Sequence, residues 1–177
     1  MTNRSLAVGI VIAMLAVATS AHAQDDATQT GFRATPEITP FVLMGSNGSS
    51  GVGTAVRWPM PNHFSFEVET SSRLSDVAPL NANFSLLFDL PEIGRVTPYV
   101  AAGVGLDQYA YAETAPSGVM VAEAGTAFSV NAGGGIRIRG DESWGMRTDA
   151  RWFNGIGRKA PERLRLYNGV TFNPKGR

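Results

Sequence analysis

The sequence contains no cysteine and only two histidines, His22 and His63. The absence of cysteine excludes disulfide bonds, lipid attachment to a cysteine and thiolate metal sites. The 15 Lys and Arg residues balance the 15 Asp and Glu residues, so no net basic field favours nucleic acid as a partner. Because we expect His22 to be removed with an N-terminal leader, a histidine metal cluster is excluded too. We therefore expect no cofactor and no bound metal.

The N-terminal residues have the features of a secretory signal. Arg4 precedes an apolar run from Leu6 to about Ala18, which is too short to span a bilayer core of about 30 Å. Ala21 and Ala23 have the small-x-small spacing of a signal peptidase site, and we expect cleavage after Ala23. A retained membrane anchor is the alternative.

Beyond residue 35 the chain has almost no helical periodicity. Apolar and polar side chains instead alternate with a period of two, as in β-strands with two different faces. In the stretch HFSFEVET, Phe64, Phe66 and Val68 alternate with polar residues. Most of these segments are near the length of about 9–11 residues that a tilted membrane strand needs. Eight segments follow the pattern, at about 37–45, 51–59, 63–72, 82–90, 97–111, 126–139, 144–153 and 163–173.

The connections between these segments alternate in length. MPN, PEIGRV and GDES are short, whereas GSNGSS, LSDVAPL, AETAPSGVMVAEAG and NGIGRKAPE are mostly longer. Outer-membrane barrels have short periplasmic turns and longer outer loops. The sequence therefore predicts an all-β fold, an eight-stranded antiparallel up-and-down transmembrane β-barrel preceded by a cleaved signal peptide. The expected domains are the signal peptide over 1–23, a flexible periplasmic tail over 24–35 and the barrel over 36–177.

Aromatic residues fall near both ends of the segments, which is typical of the two aromatic girdles of a membrane barrel. The alternative is a set of scattered core aromatics in a soluble barrel. Expected at the periplasmic ends are Trp58, Phe64, Phe88, Trp144 and Phe172, and at the opposite ends Phe84, Phe128, Trp152 and Phe153.

Two segments are rich in glycine on the face that alternation assigns to the interior. A phosphate-binding loop is excluded by spacing, because neither GVGLDQ nor GGGIRI continues into a nucleotide-binding motif. A narrow barrel explains the glycines better, since eight strands leave an interior only just wide enough for side chains. We expect one bare patch on the inner wall, filled by long side chains such as Arg147, Arg151 or Tyr167. Its members are Gly103, Gly105, Gly133 and Gly135.

The arginines of the later segments must also face inward. One arginine at the membrane midplane costs about 2–4 kcal/mol, so four of them would offset most of a domain's stability. Acidic residues of the earlier segments share that face, and closure of the sheet predicts a buried ion-pair network with Glu37 and Arg57 as further candidates. A proton or ion path is the alternative role for the same residues. The predicted network comprises Glu67, Glu69, Asp89, Asp107, Arg137, Arg139, Arg147, Asp149, Arg151, Arg163 and Arg165.

The stretches VTPYVAAGVGL, TAFSVNAGGGIRIR, GMRTDARWF and RLYNGVTF resemble the small outer-membrane β-barrel proteins, the OmpA/OmpX-like group of single-domain barrels. The resemblance covers roughly residues 36 to 173. It implies insertion from the periplasm by the barrel assembly machinery, which recognises the last strand. In this chain the last strand carries Gly169 and Phe172. Members of the group often end on an aromatic residue, whereas this chain continues with NPKGR. We expect no downstream periplasmic domain, and the resemblance then implies no peptidoglycan anchor.

Some barrels that this chain resembles modify lipid A with a histidine and a serine two positions apart. The stretch HFSFE offers His63, Ser65 and Glu67, although His63 directly follows a tight turn. A strand-end histidine near the headgroups is the alternative.

At the outer surface, Arg158 and Lys159 form a basic cluster that could contact lipopolysaccharide phosphates, or could simply be solvated. The long connection over 112–125 is expected to be an interaction loop.

The expected protein is therefore an outer-membrane barrel with a filled lumen and a structural or interaction role at the cell envelope, and not an enzyme. Its expected partners are outer-membrane lipid, lipopolysaccharide and the assembly machinery. The alternatives are a porin-like channel for small solutes or ions, a lipid A-modifying enzyme and a soluble periplasmic lipid-binding barrel.

Overall fold

The computed structural model describes residues 35–46, 48–74, 80–114, 120–141, 143–156 and 163–173. The predicted signal peptide lies outside the described residues, as does the predicted tail up to residue 34. Within the described ranges no helix is long and apolar enough to cross a membrane. The strands are β1 (Glu37–Gly45), β2 (Ser50–Pro59), β3 (Phe64–Arg73), β4 (Leu80–Asp89), β5 (Val96–Thr114), β6 (Met120–Arg139), β7 (Trp144–Ile156) and β8 (Arg163–Phe172).

These strands form a closed barrel in which each pairs antiparallel with its neighbours in the chain. Closure is made by β1, which pairs with β2 on one side and with β8 on the other, where Val42 lies opposite Asn168. The predicted eight-stranded antiparallel barrel is confirmed. Both chain ends of the barrel, Glu37 and Phe172, lie at one end of it, which we call the termini end.

One hairpin differs from the prediction. The stretch 112–125 was expected to be a long loop, but β5 continues to Thr114 and β6 begins at Met120, so only 115–119 connect them. The two strands pair up to Thr114 opposite Met120, whereas β4 reaches only Asp107 of β5. Backbone pairing therefore continues past the barrel wall as a two-stranded extension. We call this end of the barrel the hairpin end.

The predicted alternation of short turns and long loops is wrong for the same reason. Because β5, β6 and β7 are longer than expected, the long loops disappear, and all seven connections have four to six residues. The turn 60–63 at the termini end is tight, with Asn62 and His63 both at positive φ (61° and 67°). Asn and His are among the non-glycine residues most often found in this left-handed region. His63 thus lies in the turn, and not in the strand that carries Ser65.

A second turn at the termini end is held by an aspartate side chain. Asp141 Oδ1 accepts hydrogen bonds from Ser143 N at 2.7 Å, Ser143 Oγ at 2.8 Å and Trp144 N at 3.0 Å. The Ser143 hydrogen bonds, foremost the one from its backbone, hold the pKa of Asp141 below its usual range. This arrangement positions the chain where β7 begins.

The barrel is polar inside and apolar outside. Among the described residues, buried polar or charged side chains are about twice as numerous as buried hydrophobic ones. Large apolar side chains face outward along every strand, as Met146 (53% exposed) and Val100 (49% exposed) illustrate. A water-soluble barrel buries the apolar face and exposes the polar one, so this distribution is the inverse of a soluble one.

The four inward glycines do not face one another across the β5–β6 ladder. Gly133 pairs with Ala101, and Gly103 pairs with Asn131, so the patch is staggered. A Cβ at Gly105 would meet the Asn83 side chain, and a Cβ at Gly133 would meet the backbone of Ala150 and Arg151. These closest approaches come from β4 and β7. The expectation of one continuous bare patch is therefore wrong, because the glycines are staggered and atoms of the adjacent strands lie against them.

We expect Gly133→Ala to lower the free energy of unfolding by about 1–3 kcal/mol, as overpacking does in a filled interior. The added Cβ would lie under 3.0 Å from Ala150 O and Arg151 Cα, and backbone atoms cannot move aside cheaply. The measurement is urea unfolding in lipid vesicles. The control Ala101→Gly, directly opposite, removes a methyl group without a clash and should cost about 0.5–1 kcal/mol. An unchanged or raised unfolding midpoint for Gly133→Ala would contradict the close approach.

Candidate functional site: the charged lumen

At the termini end the lumen is crossed by a ring of two arginines and two carboxylates. Arg57 contacts Glu37 at 3.0 Å and Asp89 at 2.6 Å. Arg137 contacts the same two carboxylates, at 3.3 Å and 2.6 Å. The four residues come from β1, β2, β4 and β6, and their charges balance. This ring, which we call the termini quartet, therefore links four strands through their side chains.

In the middle of the barrel, β7 reaches across to β3. Arg147 pairs with Glu67, and Arg151 contacts Glu67 at 2.7 Å and Glu69 at 3.4 Å. Asp149, on the same face of β7, contacts Arg147 at 2.5 Å and Arg151 at 3.2 Å. Because β3 and β7 lie on opposite sides of an eight-stranded barrel, these pairs span its diameter. We call these five residues the central network.

Tyrosines and amides complete the central network. Tyr99 donates to Asp149 Oδ2 at 2.5 Å and accepts from Arg147 Nε at 2.7 Å. Tyr167 donates to Glu69 at 3.1 Å, and Asn83 donates to the same carboxylate at 3.2 Å. Buried charges need such additional hydrogen bonds to offset desolvation. The network therefore contacts strands β3, β4, β5, β7 and β8.

Toward the hairpin end, Arg165 Nη2 donates to Asp107 Oδ1 at 2.5 Å. Its guanidinium lies over the ring of Phe153, 3.9 Å from the ring centre. Arg163 is buried two residues away on the same face of β8. Phe153 was expected in an aromatic girdle, but it is fully buried in the lumen. The expectation fails because the strand alternates and Trp152, next to Phe153, occupies the outward position.

Most of the predicted ion-pair residues share the lumen in this way, and Arg139 does not. Its side chain is 62% exposed at the termini end and pairs with Glu92. The prediction that Arg139 belongs to the buried network is wrong, because this last residue of β6 lies at the rim of the barrel. Arg158 and Lys159, the predicted basic cluster, lie outside the described residues.

The other predicted girdle residues face outward. At the termini end, Phe64 and Phe88 lie with ring centres 5.0 Å apart, and Trp144 pairs with Phe172 across β7 and β8. Trp58 stacks on Phe66 at 4.8 Å. Trp152 lies on the outer face of β7, eight residues beyond Trp144. The aromatic rings at the termini end thus lie on the outer face of β2, β3, β4, β7 and β8.

The predicted ion-pair network left out several interior polar residues. Tyr99, Asn83, Ser85 and Asn131 are all buried, and Ser85 hydrogen-bonds Asn131 at 3.3 Å. Period-two alternation places each of them on the inward face, in phase with Asp107, Asp89 or Gly133. Alternation therefore predicts that these side chains face inward, but the predicted network contained only charged residues.

Within the described part of the barrel, a cavity and a small void lie beside the charged residues. A cavity of about 720 Å³ opens at the termini end, and the termini quartet lines it together with Arg139, Asp141 and Trp144. Beside the central network lies a void of about 10 Å³, bordered by Glu69, Arg147 and Tyr167. That volume is about enough for one water molecule. Among the described residues no group of three or more side chains is arranged to hold a metal ion.

Solved structures share this fold at low sequence identity. The N-terminal β-barrel domain of Pseudomonas aeruginosa OprF is 13% identical, with a TM-score of 0.66 over 80% of this chain and 98% of that one. Neisserial surface protein A is 13% identical, with a TM-score of 0.56 over 78% and 94% of the two chains. A designed transmembrane β-barrel is 11% identical, with a TM-score of 0.56 over 82% and 98%.

No protein-family model and no curated protein sequence matches the chain. The solved structures nevertheless establish the fold, which is that of the small outer-membrane barrels. The fold that the OmpA/OmpX-like resemblance implies is confirmed.

Proposed function

We propose that this protein is an integral outer-membrane barrel with a structural or interaction role at the cell envelope. The observation that carries the proposal is the inverted polarity: charged side chains fill the lumen, and apolar side chains cover the outside. A soluble lipid-binding barrel has the opposite need, because an apolar ligand requires an apolar cavity. The same proposal includes export through a cleaved signal peptide and insertion by the assembly machinery. It also includes outer-membrane lipid and lipopolysaccharide as partners.

The proposed lumen is closed to solutes. The termini quartet and the central network each join strands from opposite sides of the barrel, and Arg151 and Glu67 of the central network are fully buried. Moving these residues aside would leave buried charges unpaired, which is costly. The cavity of about 720 Å³ at the termini end favours a small-solute channel as a second candidate function, since it could be one half of a path.

We expect planar bilayers that contain the purified protein to conduct no more than protein-free bilayers. The triple variant Glu67→Ala, Arg147→Ala, Arg151→Ala removes the central network, and the fraction that folds should conduct. Its control is Glu92→Ala with Arg139→Ala, which removes an exposed pair at the rim. Frequent discrete openings of the unmodified protein would favour the channel.

We propose further that the barrel is not an enzyme. Ser65 is fully buried, and its Oγ accepts a hydrogen bond from Arg57 Nη2 at 2.5 Å. His63 is exposed in the preceding turn, at a φ of 67°. A serine nucleophile needs a base within hydrogen-bond reach and access to its substrate. Ser65→Ala should leave the lipid A profile of expressing cells unchanged, and a loss of modified lipid A would overturn this view.

A further inference from the structure

Charge is unevenly distributed along the lumen. The termini quartet contains two arginines and two carboxylates, and the central network contains two arginines and three carboxylates. At the hairpin end, the lumen side chains that the structure describes provide three arginines and one carboxylate. This hairpin-end cluster consists of Arg73, Arg163, Arg165 and Asp107.

The same cluster contains the unsatisfied donors. Among the described residues, four of its buried guanidinium nitrogens have no hydrogen-bond partner: Arg73 Nη2, Arg163 Nε, Arg163 Nη1 and Arg165 Nη1. In the termini quartet and the central network, as far as the structure describes them, the unpartnered arginine atoms are all Nε. Among the arginines that the structure describes, unpartnered terminal Nη atoms therefore occur only in the hairpin-end cluster. Terminal nitrogens are the ones that arginine uses in forked contacts with carboxylate and phosphate.

The cluster is held in place by contacts that leave those donors unused. Arg165 is fixed by Asp107 through Nη2 and by the Phe153 ring under its guanidinium. Arg163 lies opposite Phe153 in the β7–β8 ladder. Arg73, at the end of β3, is close enough to Arg165 and Asp107 to interact electrostatically with both, and it is only partly buried. Arg73 thus connects the buried arginines to the mouth of the lumen.

We propose that the hairpin-end cluster is a binding site for a phosphate-class oxyanion. A guanidinium remains protonated in proteins, so buried arginines cannot discharge and require negative charge nearby. Asp107 supplies one charge for three arginines, and Glu69 of the central network, which also interacts with Arg165, offsets only part of the remainder. A tetrahedral oxyanion supplies the missing charge and several acceptor atoms for the unsatisfied Nη groups. The anion is either free phosphate or the phosphate of an outer-leaflet lipid, and only the lipid source depends on the proposed membrane location.

The test is titration of inorganic phosphate into the folded barrel, in a phosphate-free detergent at constant ionic strength, followed by calorimetry. We expect saturable binding of one phosphate per chain. Arg163→Gln should weaken it by about tenfold or more, since one charge-assisted contact is lost. Arg163 is the chosen position because the Arg165–Asp107 pair stays intact. Arg139→Gln, at the opposite end, is the matched control and should bind phosphate normally. The boiled and unboiled gel shift verifies that each variant is folded.

Vesicles distinguish the two sources of the anion. If phosphatidylglycerol vesicles displace the bound phosphate and uncharged glycolipid vesicles do not, the ligand is a lipid phosphate. If neither displaces it, the ligand is the free ion. Both results support the binding site. Only the lipid result depends on the proposed membrane location.

Three results would overturn the proposal. One is the absence of phosphate binding by the folded protein at millimolar concentration. Another is equal binding by Arg163→Gln and Arg139→Gln. The third is binding only after Asp76→Asn, Glu113→Gln, Glu123→Gln or Glu162→Gln, because it would mean that carboxylates whose side chains the structure does not describe already neutralise the cluster.

Discussion

Replacing Arg151 with methionine is expected to lower the free energy of unfolding by about 3–5 kcal/mol. Arg151 is fully buried and contacts Glu67, Glu69 and Asp149. Without it, Arg147 alone would face three carboxylates in the central network. Methionine is long and apolar, so it retains much of the packing and isolates the loss of charge. The measurement is reversible urea unfolding in vesicles, followed by tryptophan fluorescence and by the gel shift.

The control for this prediction is Arg139→Met. Arg139 also pairs with a carboxylate, but its side chain is 62% exposed, and exposed pairs contribute about 0–1 kcal/mol. Adding Glu67→Gln to Arg151→Met should recover part of the lost stability, because one uncompensated carboxylate is removed. Equal effects of Arg151→Met and Arg139→Met would show that the central network does not stabilise the barrel.

Replacing Leu86 with arginine is expected to destabilise the protein in a bilayer by about 2–4 kcal/mol. Leu86 lies on the outer face near the middle of β4 and is 46% exposed in the isolated barrel. On a soluble protein, an arginine at such an exposed site would have little effect on stability. The sign and size of the change therefore report whether this face contacts hydrocarbon. The measurement is the unfolding free energy in phosphatidylcholine vesicles.

Leu90→Arg is the matched control, with the same substitution four residues further along the same face. Leu90 lies beyond the end of β4 at the termini end and is 38% exposed. Near the interface an arginine costs about 0–1 kcal/mol, because its side chain reaches the headgroups. If Leu86→Arg and Leu90→Arg had the same small effect, the outer face would not be in a membrane.

Strand positions were predictable because alternation and turn residues agree along most of the chain. β1 was predicted at its observed bounds, and β7 was predicted from its observed start at Trp144. The β5–β6 hairpin was not predictable, since its end is rich in small residues and includes Pro116 and Gly118, which resemble loop composition. Continued pairing beyond the barrel wall depends on the partner strand, and local sequence does not encode it.

The inward face of each strand was also predictable, but the pairing across the lumen was not. Alternation places Glu67 and Arg151 inside without stating which residues meet. Their contact depends on the tilt and stagger of the closed sheet, which only the three-dimensional structure supplies. Arg139 illustrates the limit, because alternation assigns its face correctly but not its height along the barrel. Alternation also places Tyr99 on the inward face of β5, but the predicted network left it out because it is uncharged.

Migration on SDS gels is the most direct test of the proposed membrane barrel, whose charged lumen is closed by side-chain pairs. Outer membranes from cells that make the full chain would be compared with and without boiling. We predict a membrane-associated band that migrates as a compact species and shifts on boiling, because the closed barrel resists detergent. A protein that stays in the soluble fraction and shows no shift would contradict the account.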